Sequence, residues 1–259
     1  MSMLFDEIVF GPVHSRRLGI SLGINILPYD GKVCSFDCIY CECGYNKDRK
    51  TKTPLPSQEN TKAALEHKLI KLKNDNIIPD VITFAGNGEP TIHPKFAEII
   101  DDTIELRNKY ISKAKISVLS NGMYISNERV FDALKKVENN ILKFDSAIID
   151  TVRLIDCPNS SNYSIEKQVE LFKKFEGNFI MQTMFVKGKH NNKVVDNTTE
   201  EEIIAWLEVV KKTQPKEVMI YTIDRETPEK ELEKIPLEKL QEIGKLIQNM
   251  GVEKVNIAG

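Results

Sequence analysis

Residues 20–41 read ISLGINILPYDGKVCSFDCIYC, and the change of character within them decides the fold. Residues 20–27 are apolar and β-branched, the composition of a buried strand, and Pro28 follows them. The chain then enters a segment without clear periodicity, about residues 28–56, that carries Cys34, Cys38, Cys41 and Cys43. Long loops inside compact domains usually carry function, so a cysteine-bearing loop directly after a strand is informative by position alone.

The same strand signal recurs at residues 80–85, 115–119, 141–144, 178–186 and 217–223. Between these runs lie stretches of helical length whose apolar residues are spaced by three and four, which puts them on one face. Leu65, Leu69 and Leu72 mark the first, and Phe96, Ile99, Ile100 and Ile104 the second. Val130, Phe131 and Leu134 mark the third, and Ile165, Val169 and Phe172 the fourth. Ile203, Ile204, Leu207 and Val210 form the fifth, and Leu237, Leu240, Ile243 and Ile247 the sixth. Thr198-x-x-Glu201 reads as a capping box for the fifth helix, and Ser126 or Asn127 as the cap of the third. Gly251 reads as the stop of the last helix, before a short strand over residues 252–257. Six strand–helix units in succession imply a parallel sheet covered by helices, and six is fewer than a closed barrel has. The expected fold is therefore α/β, a partial (β/α)6 TIM-like barrel, with a doubly wound open sheet as the second choice. It is expected as one domain over residues 1–259, with the working site in the loops at the carboxyl ends of the strands.

Composition, 259 residues with 41% hydrophobic, allows one large core, a size that fits a single α/β domain or two small ones. The formal net charge is only −2, so any RNA contact must come from a local basic patch rather than the whole surface. No apolar run approaches the length of a membrane span and the first residues lack a secretion signal, so a cytoplasmic protein without membrane attachment is expected. Of five cysteines, four crowd between Cys34 and Cys43 and only Cys157 stands apart. Such crowding suits a metal centre better than disulfides.

Cys34-x3-Cys38-x2-Cys41 is compact enough to wrap one [4Fe–4S] cluster from a single loop. Such a cube normally takes four thiolates, so three leave one iron open to a small molecule. Two other arrangements compete: a structural zinc site using Cys43 as well, and a four-thiolate electron-transfer cluster with no substrate. Further along, Gly86-Asn87-Gly88-Glu89-Pro90 closes the second strand run, where two glycines let backbone approach a ligand and the proline stiffens the exit. Lys143 and Asp145 lie two residues apart, hence on one face of a strand. Inside a barrel two such charges are costly unless they bind a ligand or pair with each other. Gln182, Thr183, Tyr221 and Asp224 are further polar residues on later strands, and His93 reads as a solvated loop histidine.

The cysteine loop and the Gly-x-Gly-Glu-Pro segment together resemble the radical S-adenosylmethionine superfamily. The resemblance implies a full or partial (β/α) barrel, with a [4Fe–4S] cluster on Cys34, Cys38 and Cys41 and S-adenosylmethionine chelated by the open iron. It implies reductive cleavage to a 5′-deoxyadenosyl radical that takes hydrogen from a substrate. Tyr40 matches the aromatic position near the adenine. Gly86, Asn87, Gly88 and Glu89 match the segment that holds the methionine amino group, and Ser120 and Asn121 match positions on the ribose or carboxylate. Lys143, Asp145 and Gln182 are taken as further cofactor-binding candidates, with Lys143, Asp145 and Cys43 as candidates for catalysis.

Residues 10–19 and 21–25, with Tyr221-Thr222-Ile223 and Thr227-Pro228-Glu229, are similar to members grouped with the tRNA wyosine-base synthases. Those synthases build a second cluster from cysteines ahead of the triad, whereas no cysteine here precedes Cys34. The cofactor and the first step therefore carry over, and the wyosine reaction does not. A nucleoside in tRNA is the leading substrate class; the rivals are an activase that makes a glycyl radical in a partner protein and a non-catalytic iron–sulfur or zinc module. Residues 47–52, KDRKTK, form a basic run that suits an anionic substrate, RNA, or an acidic electron donor such as flavodoxin or ferredoxin, or else a solvated loop.

Overall fold

The computed structural model describes residues 3–48 and 50–259, so Arg49 of the basic run lies outside the described residues. By its internal contacts the chain forms two compact units, Leu4–Cys34 with Asn46–Asn140, and Met3 with Ser35–Tyr45 and Ile141–Gly259.

In the first unit the elements are β1 (Val9–Ser15), β2 (Gly19–Ile24), α1 (Gln58–Asn74), β3 (Val81–Phe84), α2 (Phe96–Tyr110), β4 (Lys115–Ser120) and α3 (Glu128–Lys135). The strands are ordered β1-β2-β3-β4, with β1 antiparallel to β2 and the rest parallel. Every residue of β3 is buried, as expected of a parallel strand covered on both faces. The stripe foreseen on α1 packs inward as Leu65, Leu69 and Leu72, each contributing about 2 kcal/mol of burial. Ser57 caps α1 by accepting from the Asn60 amide, and Asn127 caps α3 from its own side chain.

The second unit continues with β5 (Asn139–Lys143), of which Ile141–Lys143 belong to it, and then α4 (Ile149–Ile155), α5 (Ile165–Lys173) and β6 (Ile180–Met184). The rest are β7 (Lys187–His190), β8 (Lys193–Asp196), α6 (Glu200–Thr213), β9 (Glu217–Tyr221), β10 (Leu232–Glu233), α7 (Leu237–Asn249) and β11 (Val255–Ala258). Strands β5-β6-β9-β11 are parallel, and β10-β7-β8 form a separate antiparallel sheet. Trp206 on α6 is buried and its indole N–H points at the Phe144 carbonyl and the Thr183 hydroxyl, which fixes the helix over the ends of β5 and β6.

The succession β2–α1, β3–α2, β4–α3, β5–α4–α5, β6–α6 and β9–α7 supplies six strand–helix units. The class is α/β, and this is the element order of the expected partial (β/α)6 TIM-like barrel. Local departures have physical causes. The cap of α6 is Thr199 rather than Thr198, one residue later, accepting from the Glu202 amide at 3.3 Å. Strand β2 ends at Ile24, three residues before the apolar run does, because Asn25 turns inward and bonds backbone on both sides. Strand β1 was not foreseen: a bulge between Phe10 and Val13, at Gly11-Pro12, breaks the alternation that marks a strand. The β7–β8 hairpin turns on Asn191 and Asn192, both with positive φ, a legible turn signal that the apolar pattern alone passes over.

Candidate active site

In the first unit the backbone joins the cysteine loop to the Gly-x-Gly-Glu segment. Val33 donates its amide to the Asn87 carbonyl at 2.8 Å and accepts from the Glu89 amide at 3.0 Å, a parallel bridge opposite Gly88. Gly88 has φ +137°, and a Cβ there would lie 1.9 Å from the Val33 carbonyl oxygen, so no side chain fits. A Cβ on Gly86 would lie 2.3 Å from the Asn25 carboxamide oxygen, which the Asn87 amide also meets, at 3.1 Å.

Asn87 is fully buried. Its side-chain NH2 donates to the Phe5 and Pro28 carbonyls at 2.8 Å each, and its oxygen accepts from the Phe5 amide at 2.8 Å. Its side chain thus ties down the residues before β1 and after β2, leaving its backbone carbonyl to accept from Val33. Glu89 is buried too, and its carboxylate accepts from the Thr91 amide at 3.1 Å, the Thr91 hydroxyl, Ser120 Oγ at 2.9 Å and the Asn121 amide at 2.7 Å. Burial pushes its pKa up, with these four donors opposing the shift. Ser120 and Asn121, at the end of β4, are therefore joined to Glu89, in the loop that follows β3.

Cys34 follows Val33 directly. Its amide donates to Asn46 Oδ1 and its carbonyl accepts from Asn46 Nδ2, both at 3.1 Å, so one carboxamide clamps both sides of the residue. Asn121 Nδ2 lies 3.7 Å from Cys34 Sγ. His93 is not solvated as expected. It is 4% exposed, with Nε2 2.8 Å from the Pro56 carbonyl oxygen and Nδ1 accepting from the Lys95 amide, so it closes the end of the cysteine loop onto the start of α2.

The second unit holds Cys38, Cys41 and Cys43 on a segment strapped to the exit of α4. Asp37 donates its amide to the Asp156 and Cys157 carbonyls at 3.0 and 3.1 Å, Ile39 to Ile155 at 2.9 Å, and Ser35 accepts from Asn159 at 2.8 Å. Turns Cys38–Cys41 and Cys41–Gly44 then curl the chain. Tyr40 is buried, its hydroxyl donating to Asp145 Oδ2. Lys143, at the end of β5, donates to both Asp145 and Asp156, and its ammonium stands 5.2 Å from the Tyr40 ring centroid and 5.7 Å from that of Phe36. Asp145 uses its other oxygen to accept from the Met184 amide at 3.0 Å.

Burial opposes the Lys143 charge, but Asp145, Asp156 and the Cys38 thiol outweigh it and hold its pKa well above the usual lysine value. Burial and the nearby carboxylates likewise push the Tyr40 phenol up, so it stays a donor. Gln182 is the register partner of Lys143 on β6 and is buried. Two later candidates serve structure: Thr183 bonds the Phe144 carbonyl and the Trp206 indole, and Asp224 forms an exposed pair with Lys234 at 2.9 Å.

Asp156 gives a testable pH dependence. Burial raises its pKa to about 8, with Lys143 lowering it and Asp145 raising it. An unfolded aspartate titrates near ~3.9. Between these values folding takes up a proton, so stability is fully present below the unfolded value and is lost as pH rises through the folded one. The urea midpoint should therefore fall from pH 5 to pH 9, and Asp156→Asn should flatten that slope; an equal slope in both proteins would refute the assignment.

Asn25, Asn46, Asp156 and Tyr163 were not singled out from the sequence. Tyr163 packs edge-on against Phe36 at 5.7 Å. Each is a polar or aromatic residue in irregular chain, where no periodicity marks which residue it meets. Among the described residues no three His, Cys, Asp or Glu side chains gather as the ligands of one metal ion. A cube differs from a single ion in spreading its thiolates over several irons. Three soft thiols on one loop, Cys34, Cys38 and Cys41, are the donor set such a cluster takes.

The profile described as Radical SAM superfamily matches residues 29–185. The chain is 30% identical over 257 residues to a Brachyspira hyodysenteriae protein named GTPase Obg, a match covering 97% of this chain and 35% of that one. No Gly-x4-Gly-Lys-Ser/Thr phosphate loop occurs in the present sequence. A UPF0026 protein of Helicobacter pylori is 32% identical over 222 residues, 84% of this chain and 67% of that one. Among solved structures, a radical SAM methyltransferase from Sphaerobacter thermophilus superposes with TM-score 0.66 at 11% identity, over 92% of this chain and 66% of that one. Streptococcus suis SuiB bound to S-adenosylmethionine gives 0.61 at 15%, over 91% and 50%. TYW1 with a lysine-pyruvate adduct gives 0.57 at 15%, over 88% and 73%. These likenesses show the partial-barrel fold, and no helix of the described residues is long and apolar enough to cross a membrane. With its profile match and its UPF0026 relatives, the chain belongs to the Radical SAM superfamily, a family of enzymes that use S-adenosylmethionine and an iron–sulfur cluster.

Proposed function

We propose that this chain binds a [4Fe–4S] cluster through Cys34, Cys38 and Cys41 and cleaves S-adenosylmethionine reductively to abstract hydrogen from a substrate. The observation that carries this reading is the main-chain bridge of Val33 to Asn87 and Glu89, which ties the first cysteine to the Gly-x-Gly-Glu segment across some fifty residues of sequence. A cluster held by Cys34, Cys38 and Cys41 would supply the single electron needed to break a carbon–sulfur bond of S-adenosylmethionine, and so the radical chemistry that removes hydrogen from a substrate.

The protein's part is to hold and orient. Gly86 and Gly88 let Asn25 and the Val33 backbone approach closely, and Glu89 and Ser120, with the main chain of Asn121, form the polar end of the proposed cofactor cradle. Tyr40 offers an aromatic face for the adenine, its ring fixed by Asp145 and Lys143. Lys143 and Gln182, register partners on β5 and β6, are the further polar candidates for the cofactor. Cys43 is left outside the ligand set, available to the later chemistry.

For the substrate we propose a nucleoside carried in tRNA, on the likeness of residues 10–19 and of Tyr221-Thr222-Ile223 to the wyosine group. A flavodoxin or ferredoxin is the proposed reductant. Anaerobically reconstituted protein should release 5′-deoxyadenosine from S-adenosylmethionine under strong reductant; no release overturns the reading. Alanine at Cys34, Cys38 or Cys41 should abolish iron binding and Cys43→Ala should not. Equal loss with Cys43→Ala would make four-thiolate ligation the better description. Mass spectrometry of tRNA from cells lacking the gene tests the substrate: an unchanged nucleoside profile removes it.

A further inference from the structure

We infer that Asn121 sets the reduction potential of the cluster by donating an N–H to the sulfur of Cys34, an inference that rests on the ligand set proposed above. The family resemblance alone would put this side chain on the cofactor. The structure instead turns its carboxamide toward the thiol, with Nδ2 3.7 Å from Sγ.

The orientation of the amide is fixed independently. Oxygen and nitrogen of a carboxamide are distinguished by their partners, and here Oδ1 accepts from the Met123 amide at 3.1 Å, so the opposite side is the NH2. Below it, the backbone amide of Asn121 donates to Glu89 Oε2 at 2.7 Å, and Ser120 Oγ donates to the same carboxylate at 2.9 Å. The side chain is thus held from both ends, 6% exposed. The acceptor is held as firmly. Asn46 brackets the backbone of Cys34 on both sides, and Val33 before it is bridged to Gly88. Donor and sulfur meet through these two anchored loops, so their separation does not depend on a flexible side chain finding its partner.

A thiolate ligand carries more negative charge when its cluster is reduced, so an N–H aimed at the sulfur favours the reduced state. Hydrogen bonds to the sulfurs are among the factors that set such potentials. Removing the donor should make the cluster harder to reduce. The strength of one hydrogen bond corresponds to about three- to tenfold in the reduced-to-oxidised ratio at a fixed poise. Tenfold is about 59 mV for a one-electron couple.

The test is an anaerobic redox titration of the reconstituted protein, followed by the electron paramagnetic resonance of the reduced cluster, without S-adenosylmethionine. Asn121→Asp keeps the acceptor for Met123 and replaces the donor with a negative oxygen, and Asn121→Leu removes both polar atoms. Both variants should load iron as the wild type does. The reduced fraction should fall three- to tenfold for Leu and further for Asp, whose added charge acts in the same sense. A role confined to shaping the loop would lower the melting temperature and leave the potential unmoved; an unmoved potential overturns the inference. So does loss of iron in the variants alone, which would make Asn121 an assembly residue. If the wild type itself takes up no iron, the ligand set is wrong, and that failure is distinct from the failure of Asn121.

Discussion

Lys143→Met should lower the free energy of unfolding by about 3–5 kcal/mol, the cost of removing one partner from a buried ion pair. Lys143 bonds both Asp145 and Asp156, whose side chains are 1% and 4% exposed. Without the ammonium, two carboxyl groups share a dry site with no compensating cation, and the first response is fuller protonation of Asp156, whose pKa burial already raises. The loss should therefore be larger at pH 8 than at pH 5. Tyr40 is coupled to the same event, because its hydroxyl donates to Asp145 and its ring stands beside the ammonium. Methionine fills most of the lysine's volume, so a cavity is not the cause of the effect. The discriminating measurement is urea unfolding of Lys143→Met beside the triple variant Lys143→Met, Asp145→Asn, Asp156→Asn. The triple variant has no buried charge to strand and should recover most of the loss. If it is as unstable as the single variant, the lysine matters by its shape, and the electrostatic account fails.

The same trio marks where sequence reading stops. Lys143 and Asp145 were recognisable as costly charges on one strand face, and pairing was one of two readings left open for them. Asp156, the third member, sits after a seven-residue helix, α4, that carries none of the apolar stripes read from the sequence, and nothing local ties it to Lys143. Asn46 was equally invisible: its partner is the backbone of Cys34, and backbone partners leave no mark in composition. By contrast, α1, α2, α6 and α7 were legible as helices, because burying one face forces a period on the sequence, although Ile204 of the α6 stripe and Leu237 of the α7 stripe are exposed and Trp206 and Val209 complete the buried face of α6. Strand β1 escaped because a bulge removes that period, and His93 was misread because a loop histidine is normally wet. The cysteine spacing and the Gly-x-Gly-Glu-Pro segment were readable for a different reason. Their chemistry tolerates few alternatives, whether as thiolates around a cluster or as backbone that must pass where no Cβ fits.

That last constraint predicts the second large effect. Gly88→Ala should cost about 2–5 kcal/mol, combining backbone strain at φ +137° with overpacking against the Val33 carbonyl. The clash distance is 1.9 Å and the opposing atom is backbone oxygen, so no side-chain rotation relieves it. What must yield is the Val33–Gly88 bridge, and with it the placement of Cys34, the next residue. Iron bound per chain after reconstitution should therefore fall severalfold, more than the stability loss alone would produce under conditions where the variant remains folded. Gly251→Ala separates strain from clash, since Gly251 has φ +90° and nothing within 4 Å of the added carbon. It should lose only about 1 kcal/mol and bind iron like the wild type. Circular dichroism confirms that each protein is folded before iron and sulfide are counted. Full iron content in Gly88→Ala would show that Cys34 holds its place without the bridge, and the link between the two motifs would then be packing rather than support for the cluster.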